Sequence, residues 1–395
     1  MPHRHFMPSK GQMTMPATRE SASLLSVDRA VFELRRGRIV CVAAANGACA
    51  LVMAAEGATE QSLLDLQGLA RSLPVLSITR RRGDVLGLSM HTGEENGVLA
   101  LSSATGSSAT GLSAEAVLRL ADPLSEDASE VARATQVRPA PAFGPEAAAV
   151  GLAKIARLLP AALVARIIDP EARDLAAWAA RRNLILVDAG DVFQYERTAA
   201  RTLKRISEAR VPLEDAENAR IIAYRPLDGG LEHLAIVIGE PSPDAPALVR
   251  LHSECFTGDL LGSLRCDCGD QLRGAIQAIS QAGSGVLLYL AQEGRGIGLV
   301  NKLRAYTLQD QGADTLDANE QLGFDADERV YLPAAEMLKD LGLAQVRLLT
   351  NNPDKVAELQ LHGIIVSERV PHAFPSNRHN EQYLHTKKAK GGHLF

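Results

Sequence analysis

Three cysteines lie within fourteen residues of one another, at Cys255, Cys266 and Cys268. Clustered thiolates suit a soft or borderline metal ion, chiefly zinc. A structural zinc site usually closes with four protein ligands, so a set of three leaves a position for water, as in catalytic zinc sites. The alternative is three reduced core cysteines, because a free thiol packs as a small hydrophobe. The C-x10-C-x-C spacing favours the metal site.

A second signal follows the apolar run Val286–Leu290. Residues 292–298 read QEGRGIG, a glycine-rich turn where a strand would pass into a helix. Backbone N–H groups at the start of a helix suit phosphate, and the Arg295 guanidinium would add a bidentate contact. Such turns are also common where nothing binds, so the pattern alone leaves a phosphate site and a plain turn equally open.

Two further polar segments lie later in the chain. The acids and arginine of Asp325–Arg329 suit acid/base chemistry beside an electrostatic clamp. The same run is typical of a charged, solvated helix start, which the pattern alone favours. Residues Thr350–Lys355 run from a strand end into a helix capped by Asn352 and Pro353. That segment is either the ligand-binding edge of an α/β sheet or an ordinary helix cap.

The elements that must position these residues alternate between strand and helix patterns, which favours an α/β fold. The composition changes near Glu196, and we interpret the basic stretch Arg197–Arg210 as a linker. We predict a disordered tail at residues 1–22 and two domains at residues 23–200 and 205–395, each a mixed sheet with flanking helices (α/β, or α+β). The main strands are predicted at 38–42, 50–53, 75–79, 184–187, 234–238, 247–252, 286–290, 346–350 and 364–370. The main helices are predicted at 60–72, 114–120, 146–159, 270–282, 297–309, 334–341 and 354–361.

The composition excludes several classes of protein. The chain has 395 residues, a net charge of -5, and 4% aromatic residues with one Trp. These values argue against a general polyanion binder and against base-stacking platforms for nucleic acid. The longest uncharged run, Ile39–Ala55, is short for a membrane span, and its Asn46-Gly47 predicts a hairpin turn. The polar N-terminus has no secretory signal. We therefore expect a cytoplasmic protein that binds neither nucleic acid nor a membrane.

The segments that carry this chemistry resemble one enzyme family in order and spacing. They read RLHSECFTGDLLGSLRCDCG, LAQEGRGIGLVNKLRAYTLQDQGADT, NEQLGFDADER and RLLTNNPDKV. On these motifs, residues 205–395 resemble GTP cyclohydrolase II, the enzyme that opens riboflavin synthesis. The resemblance implies zinc-dependent hydrolysis of GTP to 2,5-diamino-6-ribosylamino-4(3H)-pyrimidinone 5′-phosphate, formate and pyrophosphate. It also implies a homodimer, and Mg²⁺ bound with the GTP phosphates.

The resemblance also implies residue roles. The zinc ligands match Cys255, Cys266 and Cys268. The GTP contacts match Arg250, Leu251, His252, Ser253, Glu254, Gln271, Glu293, Gly294, Arg295, Thr315, Thr350 and Lys355. The proton acceptor matches Asp327, the ring-opening tyrosine Tyr306 and the proposed nucleophile Arg329. A protonated arginine is a poor nucleophile, so an electrostatic role of Arg329 at the α-phosphate stays open and is physically easier. One departure is Leu290-Ala291, where the family often has a basic residue.

The N-terminal half resembles a degenerate 3,4-dihydroxy-2-butanone-4-phosphate synthase. The resemblance rests on LVMAAE at 51–56, TGLSA at 110–114 and ADP at 121–123. The family's acidic stretch before LVMAAE reads AAANGACA at 43–50, with no carboxylate for a hard cation, and its His-Thr pair reads Gly144-Pro145. We therefore predict that this half keeps the fold and has lost the synthase reaction. Its remaining role is dimerisation, stabilisation of the other half, or regulation.

Three alternatives to a cyclohydrolase with one active half are considered. A bifunctional enzyme with both riboflavin-entry activities is disfavoured by the missing acidic stretch. A family member that stops at the formamide intermediate is disfavoured by Tyr306. A nucleotide-binding regulator without turnover is disfavoured by the complete cysteine set together with Asp327 and Arg329.

Overall fold

The structure is a computed structural model that describes residues 17–88, 97–104, 111–381, 392 and 394. Within these residues two seven-stranded sheets are flanked by helices. The helices are α1 Ala17–Arg35, α2 Glu60–Ala70, α3 Arg80–Val85, α4 Ala114–Ala121, α5 Ala128–Arg133, α6 Pro145–Ile155, α7 Leu175–Arg181, α8 Ala189–Arg201, α9 Cys268–Gln281, α10 Leu299–Asp310, α11 Thr315–Gln321, α12 Leu332–Asp340 and α13 Pro353–Leu361. The strands are β1 Val40–Ala43, β2 Cys49–Ala54, β3 Val75–Thr79, β4 Val98–Ser103, β5 Thr135–Pro139, β6 Ala161–Arg166, β7 Leu186–Asp188, β8 Lys204–Arg210, β9 Ala219–Arg225, β10 His233–Ile238, β11 Ala247–Ser253, β12 Gly285–Leu290, β13 Gln345–Leu349 and β14 Ile365–Val370.

The N-terminal sheet has the order β5-β4-β3-β6-β2-β1-β7. Only the β1–β7 pair is parallel among its neighbours. Successive side chains of a strand point to opposite faces, so Val40 and Val42 pack under α1, α6 and α8, while Cys41 joins the other face with α2, α4 and α7. The predicted hairpin is confirmed: β1 and β2 pair antiparallel, and Gly47 adopts a φ of +80° in the turn.

The C-terminal sheet has the order β14-β13-β11-β12-β10-β9-β8. Its first four strands are parallel to one another, and the last three are joined antiparallel. One face packs against α12 and α13, and the other packs against α9. The prediction of two units, each a mixed sheet with flanking helices, is therefore confirmed.

Two predicted segments differ from the structure. Part of the proposed tail, residues 17–22, belongs to α1, and residues 1–16 lie outside the described residues. The proposed linker is not a linker, because residues up to Arg201 belong to α8 and Lys204–Arg210 form β8 at the edge of the C-terminal sheet. All seven residues of β8 are exposed, so the strand lacks the apolar alternation by which a strand is recognised in sequence.

The TGLSA segment is only partly described, because residue 110 lies outside the described residues. None of the helices in the described part of the chain has the length and apolar character needed to cross a bilayer.

Candidate active site

The predicted residues of the C-terminal half converge at one edge of its sheet. β11, β12 and β13 are parallel, so their carboxyl ends meet at this edge, where a cavity of about 150 Å³ opens. The predicted residues that line it are Arg250, His252, Ser253, Glu254, Cys255, Cys266, Cys268, Gln271, Glu293, Gly294, Arg295, Tyr306, Arg329, Thr350 and Lys355.

Three predicted residues are placed differently. Leu251 contributes its backbone, since its carbonyl oxygen accepts a hydrogen bond from Lys355 Nζ at 2.9 Å. Asp327 is linked to the cavity through Arg329, whose Nε donates to its carboxylate at 2.8 Å. Thr315 is the first residue of α11, and its side chain lies outside the described part of the structure.

The cysteine cluster is assembled by two short segments. Cys255 follows β11 and enters a tight turn at Phe256–Leu260, while Cys266 and Cys268 lie at the amino end of α9. The three Sγ atoms lie within 4.8 Å of one another, and those of Cys255 and Cys266 are 3.8 Å apart. Tetrahedral zinc with Zn–S bonds of about 2.3 Å holds its sulfurs about 3.8 Å apart. The cluster therefore fits a zinc ion.

Gly258 makes room for this cluster. A Cβ atom there would lie 2.7 Å from Cys266 Sγ and 3.1 Å from Cys255 Sγ, which no side chain tolerates. The turn is therefore shaped around the three thiols.

A buried lysine lies against the cluster. Lys302 Nζ, on α10, lies 3.1 Å from Cys255 Sγ and donates to Thr257 Oγ1 and Glu293 Oε1, each at 2.9 Å. Hydrogen bonds from the other two thiols, and the Lys302 charge, hold the pKa of Cys255 well below its usual range. The charge of Cys255 in turn raises the pKa of Lys302, although burial alone would lower it. The site thus stabilises the thiolate of Cys255, the form that binds metal, whereas hydrogen bonding to Cys255 raises the pKa of Cys266 to about 11 and the pKa of Cys268 above its usual range.

Sequence reasoning missed Lys302. Its one available signal is the spacing to Tyr306, because residues four apart share one face of a helix. Tyr306 lies beside it, and the guanidinium carbon of Arg265 is 4.8 Å from the centre of the tyrosine ring. Burial raises the pKa of Tyr306, so its hydroxyl stays protonated at neutral pH.

Alternate residues of β11 present Arg250 and His252 to the cavity. Arg250 donates to the Leu349 carbonyl at 2.9 Å and to the side-chain oxygen of Gln271, and burial lowers its pKa to about 10. The His252 Nε2–H donates to Asp259 at 3.0 Å, and burial lowers the histidine pKa. His252 Nδ1 and Ser253 Oγ are buried and have no hydrogen-bond partner among the described residues, which marks them as candidates for ligand contacts.

The glycine-rich turn, for which a phosphate cradle and a plain turn were both open, is not a cradle of free N–H groups. Gly294, Gly296 and Gly298 have positive φ, as the turn requires, but their N–H groups bond within the segment to Glu293 Oε1, the Gln292 carbonyl and the Glu293 carbonyl. These N–H groups are therefore occupied. The charged side chains of the turn reach the cavity instead, since Arg295 and Glu293 line it.

The Asp325–Arg329 segment is a loop that ends before α12, so it is not a helix start. Arg295 Nη1 donates to the Ala326 carbonyl at 3.2 Å, and Glu328 N–H donates to the Arg295 carbonyl at 3.0 Å. Burial alone would raise the pKa of Asp327, but the hydrogen bonds and charge of Arg329, with the charge of Arg295, hold it below its usual range. The two loops thus form one charged wall of the cavity.

Thr350 and the residues after it form the remaining wall. Thr350 is buried, and its Oγ1 accepts from Asn352 N–H at 3.0 Å, while Asn352 caps α13. His372 also lines the cavity and had no motif to indicate it; its Nε2–H donates to the Gln271 carbonyl at 2.8 Å. The capping interpretation and the cavity-edge interpretation of Thr350–Lys355 therefore both describe this segment.

Comparisons with known proteins match the family that the sequence motifs indicate. The family profile described as GTP cyclohydrolase II matches residues 204–371. The chain is 54% identical over 379 residues to a GTP cyclohydrolase-2 of Azospirillum brasilense, covering 95% of each chain. It is 46% identical over 254 residues to a probable bifunctional riboflavin biosynthesis protein, RIBA 2, of rice (Oryza sativa subsp. japonica), covering 63% of this chain and 46% of that one.

Other matches are shorter or more distant. A riboflavin biosynthesis protein RibBA of Synechocystis sp. is 46% identical over 253 residues, covering 62% of this chain and 45% of the relative. Among solved structures, RibBX, a two-domain 3,4-dihydroxy-2-butanone 4-phosphate synthase from A. baumannii, covers 88% of this chain and 99% of its own at 18% identity and a TM-score of 0.37. A structural likeness of that size supports no conclusion.

Proposed function

The chain belongs to the GTP cyclohydrolase II family, and on that premise we propose that its C-terminal half hydrolyses GTP to 2,5-diamino-6-ribosylamino-4(3H)-pyrimidinone 5′-phosphate, formate and pyrophosphate, the first step of riboflavin biosynthesis. One observation carries the proposal. The three thiols, Tyr306 and Arg329 come from separate segments and line the same cavity.

Cys255, Cys266 and Cys268 would hold the zinc ion. A zinc ion held there would lower the pKa of a bound water toward neutrality, which is the chemistry that hydrolysis of the imidazole ring needs. Three thiolates and one Zn²⁺ would sum to a net charge of -1, and the buried Glu293 carboxylate adds a second negative charge beside them. The Lys302 ammonium, 3.1 Å from Cys255 Sγ and 2.9 Å from Glu293 Oε1, offsets one of these two charges in a buried environment.

The cationic residues divide into two groups. Arg295 and Arg329 line the cavity from the loops and are the candidates for the phosphates, because guanidinium groups recognise phosphate through two parallel hydrogen bonds. Arg250 and Lys355 are buried and donate to the Leu349 and Leu251 carbonyls, so they also hold the edge of the sheet together. Mg²⁺ with the GTP phosphates stays a prediction.

Arg329 acts electrostatically in this proposal. Its guanidinium is paired with Asp327 through Nε, at 2.8 Å and 3.1 Å from the two carboxylate oxygens, and this pairing favours the protonated form. A protonated guanidinium is a poor nucleophile but a strong clamp for the charge that develops at the α-phosphate.

Replacing Arg329 with Lys tests this role. The variant keeps the positive charge, so we expect pyrophosphate release to continue with kcat lowered about 100-fold. Pyrophosphate is measured by a coupled enzymatic assay, and GTP binding by calorimetry. Complete loss of pyrophosphate release with GTP binding intact would support a specific guanidinium nucleophile instead.

The N-terminal half is proposed to lack synthase activity. The hairpin at residues 43–50 carries no carboxylate, and Glu56 of the LVMAAE segment is bonded to Arg304 and to Leu159 N–H, so it is already used. The relatives named RibBA and RIBA 2 make a bifunctional protein the second candidate. Ribulose 5-phosphate incubated with the full-length protein and Mg²⁺ should give no dihydroxybutanone phosphate, and formation of that product would overturn this part.

The direct test of the main proposal is product analysis with the full-length protein and GTP. We expect formate and pyrophosphate in equal amounts, loss of both after zinc removal by a chelator, and recovery when zinc is added. Pyrophosphate without formate would indicate an enzyme that stops at the formamide. Binding of GTP without turnover by zinc-loaded protein would indicate a nucleotide-binding regulator.

Three broader predictions accompany this function. A division of the chain between residues 200 and 205 is supported by the sheets, which lie at residues 40–188 and 204–370, although α1 begins before residue 23, α8 extends to Arg201 and β8 begins at Lys204. A homodimer and a cytoplasmic location stay predictions from the family resemblance and from the composition.

A further inference from the structure

We propose that the N-terminal half serves the cyclohydrolase by holding its two active-site loops in place, and that Lys154 and Arg157 are the positioning residues. The loops are residues 291–298, called the glycine loop below, and residues 325–329, called the acidic loop. This inference rests on the proposed cyclohydrolase activity, because it assigns the N-terminal half a part in that reaction.

The acidic loop is held by two cations of the N-terminal half. Lys154 Nζ, near the end of α6, lies 2.6 Å from Glu328 Oε1 and 3.4 Å from Asp325 Oδ2. Arg81 Nε, on α3, lies 2.8 Å from Asp325 Oδ1. Asp325 and Glu328 flank Asp327 and precede Arg329, so the loop is anchored on both sides of the proton acceptor.

Arg157 of the N-terminal half contacts the glycine loop at both of its ends. Arg157 Nη2 donates to the Ala291 carbonyl at 2.8 Å, at the start of the loop. At its end, a Cβ atom added to Gly298 would lie 3.0 to 3.4 Å from the Arg157 side-chain carbons, so the arginine packs directly on that glycine. The Arg157 carbonyl also accepts from Asn301 Nδ2 at 3.0 Å.

The backbone of Arg157 supports a dedicated role. Its φ of +58° lies in the left-handed region, which arginine adopts rarely and which glycine or asparagine would adopt more easily. The conformation aims the carbonyl at α10 and the guanidinium at the glycine loop. A residue whose sole role was to end α6 would need neither an arginine side chain nor the hydrogen bond from Asn301 to its carbonyl.

The same interface reaches the helix that carries Lys302 and Tyr306. Arg304, two residues from each of them and so on the opposite face of α10, is bonded to Glu56 and donates to Asn301 Oδ1 at 2.7 Å. Leu159 packs into the apolar cluster with Ile297 and Phe324 beneath the loops. A carboxylate in the segment that resembles the synthase thus anchors the cyclohydrolase helix.

The two loops respond together because they are bonded to each other. Arg295 Nη1 donates to the Ala326 carbonyl, and Glu328 N–H donates to the Arg295 carbonyl. Loss of either outer contact therefore displaces Arg295 and Arg329 relative to the thiols. Displacements of about 1 Å at reacting groups cost up to about 100-fold in rate.

The experiment compares four full-length proteins: wild type, K154A, R157A and the control R119A. Arg119 pairs with Glu115 inside the N-terminal half at 2.7 Å. We expect kcat for GTP to fall about 10- to 100-fold in K154A and R157A, with zinc content unchanged and R119A at the wild-type rate. Hydrogen–deuterium exchange should accelerate in residues 291–298 and 325–329 of the two variants only.

A charge exchange separates positioning from simple stabilisation. K154E should lose at least as much kcat as K154A, and the double variant K154E/E328K should recover part of it because the ion pair is restored in reverse. K154R should stay close to wild type. A rise in kcat from K154E to the double variant without a matching change in thermal stability supports the inference.

The outcomes that contradict the inference are distinct. If wild type turns over GTP and K154A and R157A match it, the positioning role is wrong while the proposed function stands. If their activity falls only in proportion to unfolded protein, the N-terminal half only stabilises the fold and the inference is also wrong. If zinc-loaded wild type does not turn over GTP, the proposed function fails first.

Discussion

The two halves of the chain have sheets of equal strand number but use buried polar residues differently. In the N-terminal half, Glu146 is completely buried and is bonded to Arg138 at 2.9 Å and to Arg166 at 3.1 Å. In the C-terminal half, Glu293 and Lys302 are also buried and paired, but both line the cavity beside a thiolate. The buried carboxylate is thus covered by two partly exposed arginines in the first half, whereas the buried pair faces a ligand space in the second.

The cysteines of the two halves also differ in their surroundings. Burial raises the pKa of Cys41 to about 12, so this thiol is an inert part of the core. Cys255 has a pKa well below its usual range because it receives hydrogen bonds from Cys266 and Cys268 and lies beside Lys302. The pKa alone does not separate the two groups, because hydrogen bonding to Cys255 raises the pKa of Cys266 to about 11. What separates them is the convergence of three Sγ atoms within 4.8 Å in the C-terminal half.

Loss of one clustered cysteine should have the largest effect. C255S removes a metal ligand, so we expect bound zinc to disappear and GTP turnover to fall about 1000-fold or more. C49S, in the hairpin of the other half, is the matched control and should keep both. Zinc is measured by atomic emission spectroscopy on the purified proteins. Full zinc occupancy in C255S would contradict the three-cysteine site.

Removing the buried acid of the N-terminal half should affect folding and leave chemistry intact. E146A leaves Arg138 and Arg166 without their shared carboxylate, and we expect the free energy of unfolding to fall by about 2 to 3 kcal/mol. The measurement is urea unfolding, with kcat for GTP determined on the folded variant. The exposed pair partner Glu115 supplies the control E115A, which should cost less than about 1 kcal/mol. A change in kcat larger than the change in folded fraction would contradict a purely structural role of Glu146.

Lys302 should tune the metal more than the fold. K302M fills a similar volume without the charge, so we expect zinc affinity to fall about 10- to 100-fold. Competition with a chromophoric chelator measures it directly. K339M removes an exposed lysine paired with Glu336 and should leave the affinity unchanged. Unaltered affinity in K302M would mean that the ammonium does not stabilise the thiolates.

Acid should weaken the C-terminal half through its buried histidines. Burial lowers the pKa of His233 and of His372 to about 4, whereas the unfolded chain binds these protons near pH 6.5. The unfolded state therefore binds more protons, and the free energy of unfolding falls as pH decreases from about 6.5 to about 4. H372N should reduce this loss by about 2 kcal/mol at pH 5, measured by urea unfolding at pH 7.5 and 5.

The control for this effect is H379N, because His379 is exposed. Its stability should depend on pH as the wild type does. An identical slope in H372N and wild type would mean that His372 is not held neutral by burial.

Local sequence patterns predict those elements whose apolar residues repeat with the period of the helix or strand and are buried in the structure. The hairpin at Asn46-Gly47 and the strand before the glycine loop are examples, since each combines apolar residues with a clear turn signal. β8 was mistaken for a linker because an edge strand exposed on both faces has no apolar period. The pattern of Asp325–Arg329 alone favours a charged helix start over an acid/base group, but the segment is a loop held by contacts with Arg295, Lys154 and Arg81.

The sequence by itself determined the chemistry that is available: three thiols at a metal-binding spacing, the family motifs around them, and the absence of carboxylates at residues 43–50. Only the tertiary structure decided which distant side chains contact these groups and set their charge and position. Lys302 reaches Cys255 across 47 positions, and Arg157 reaches Ala291 across 134. Contacts between residues so far apart have no local period or turn signal, because they depend on how packed elements bring distant segments together.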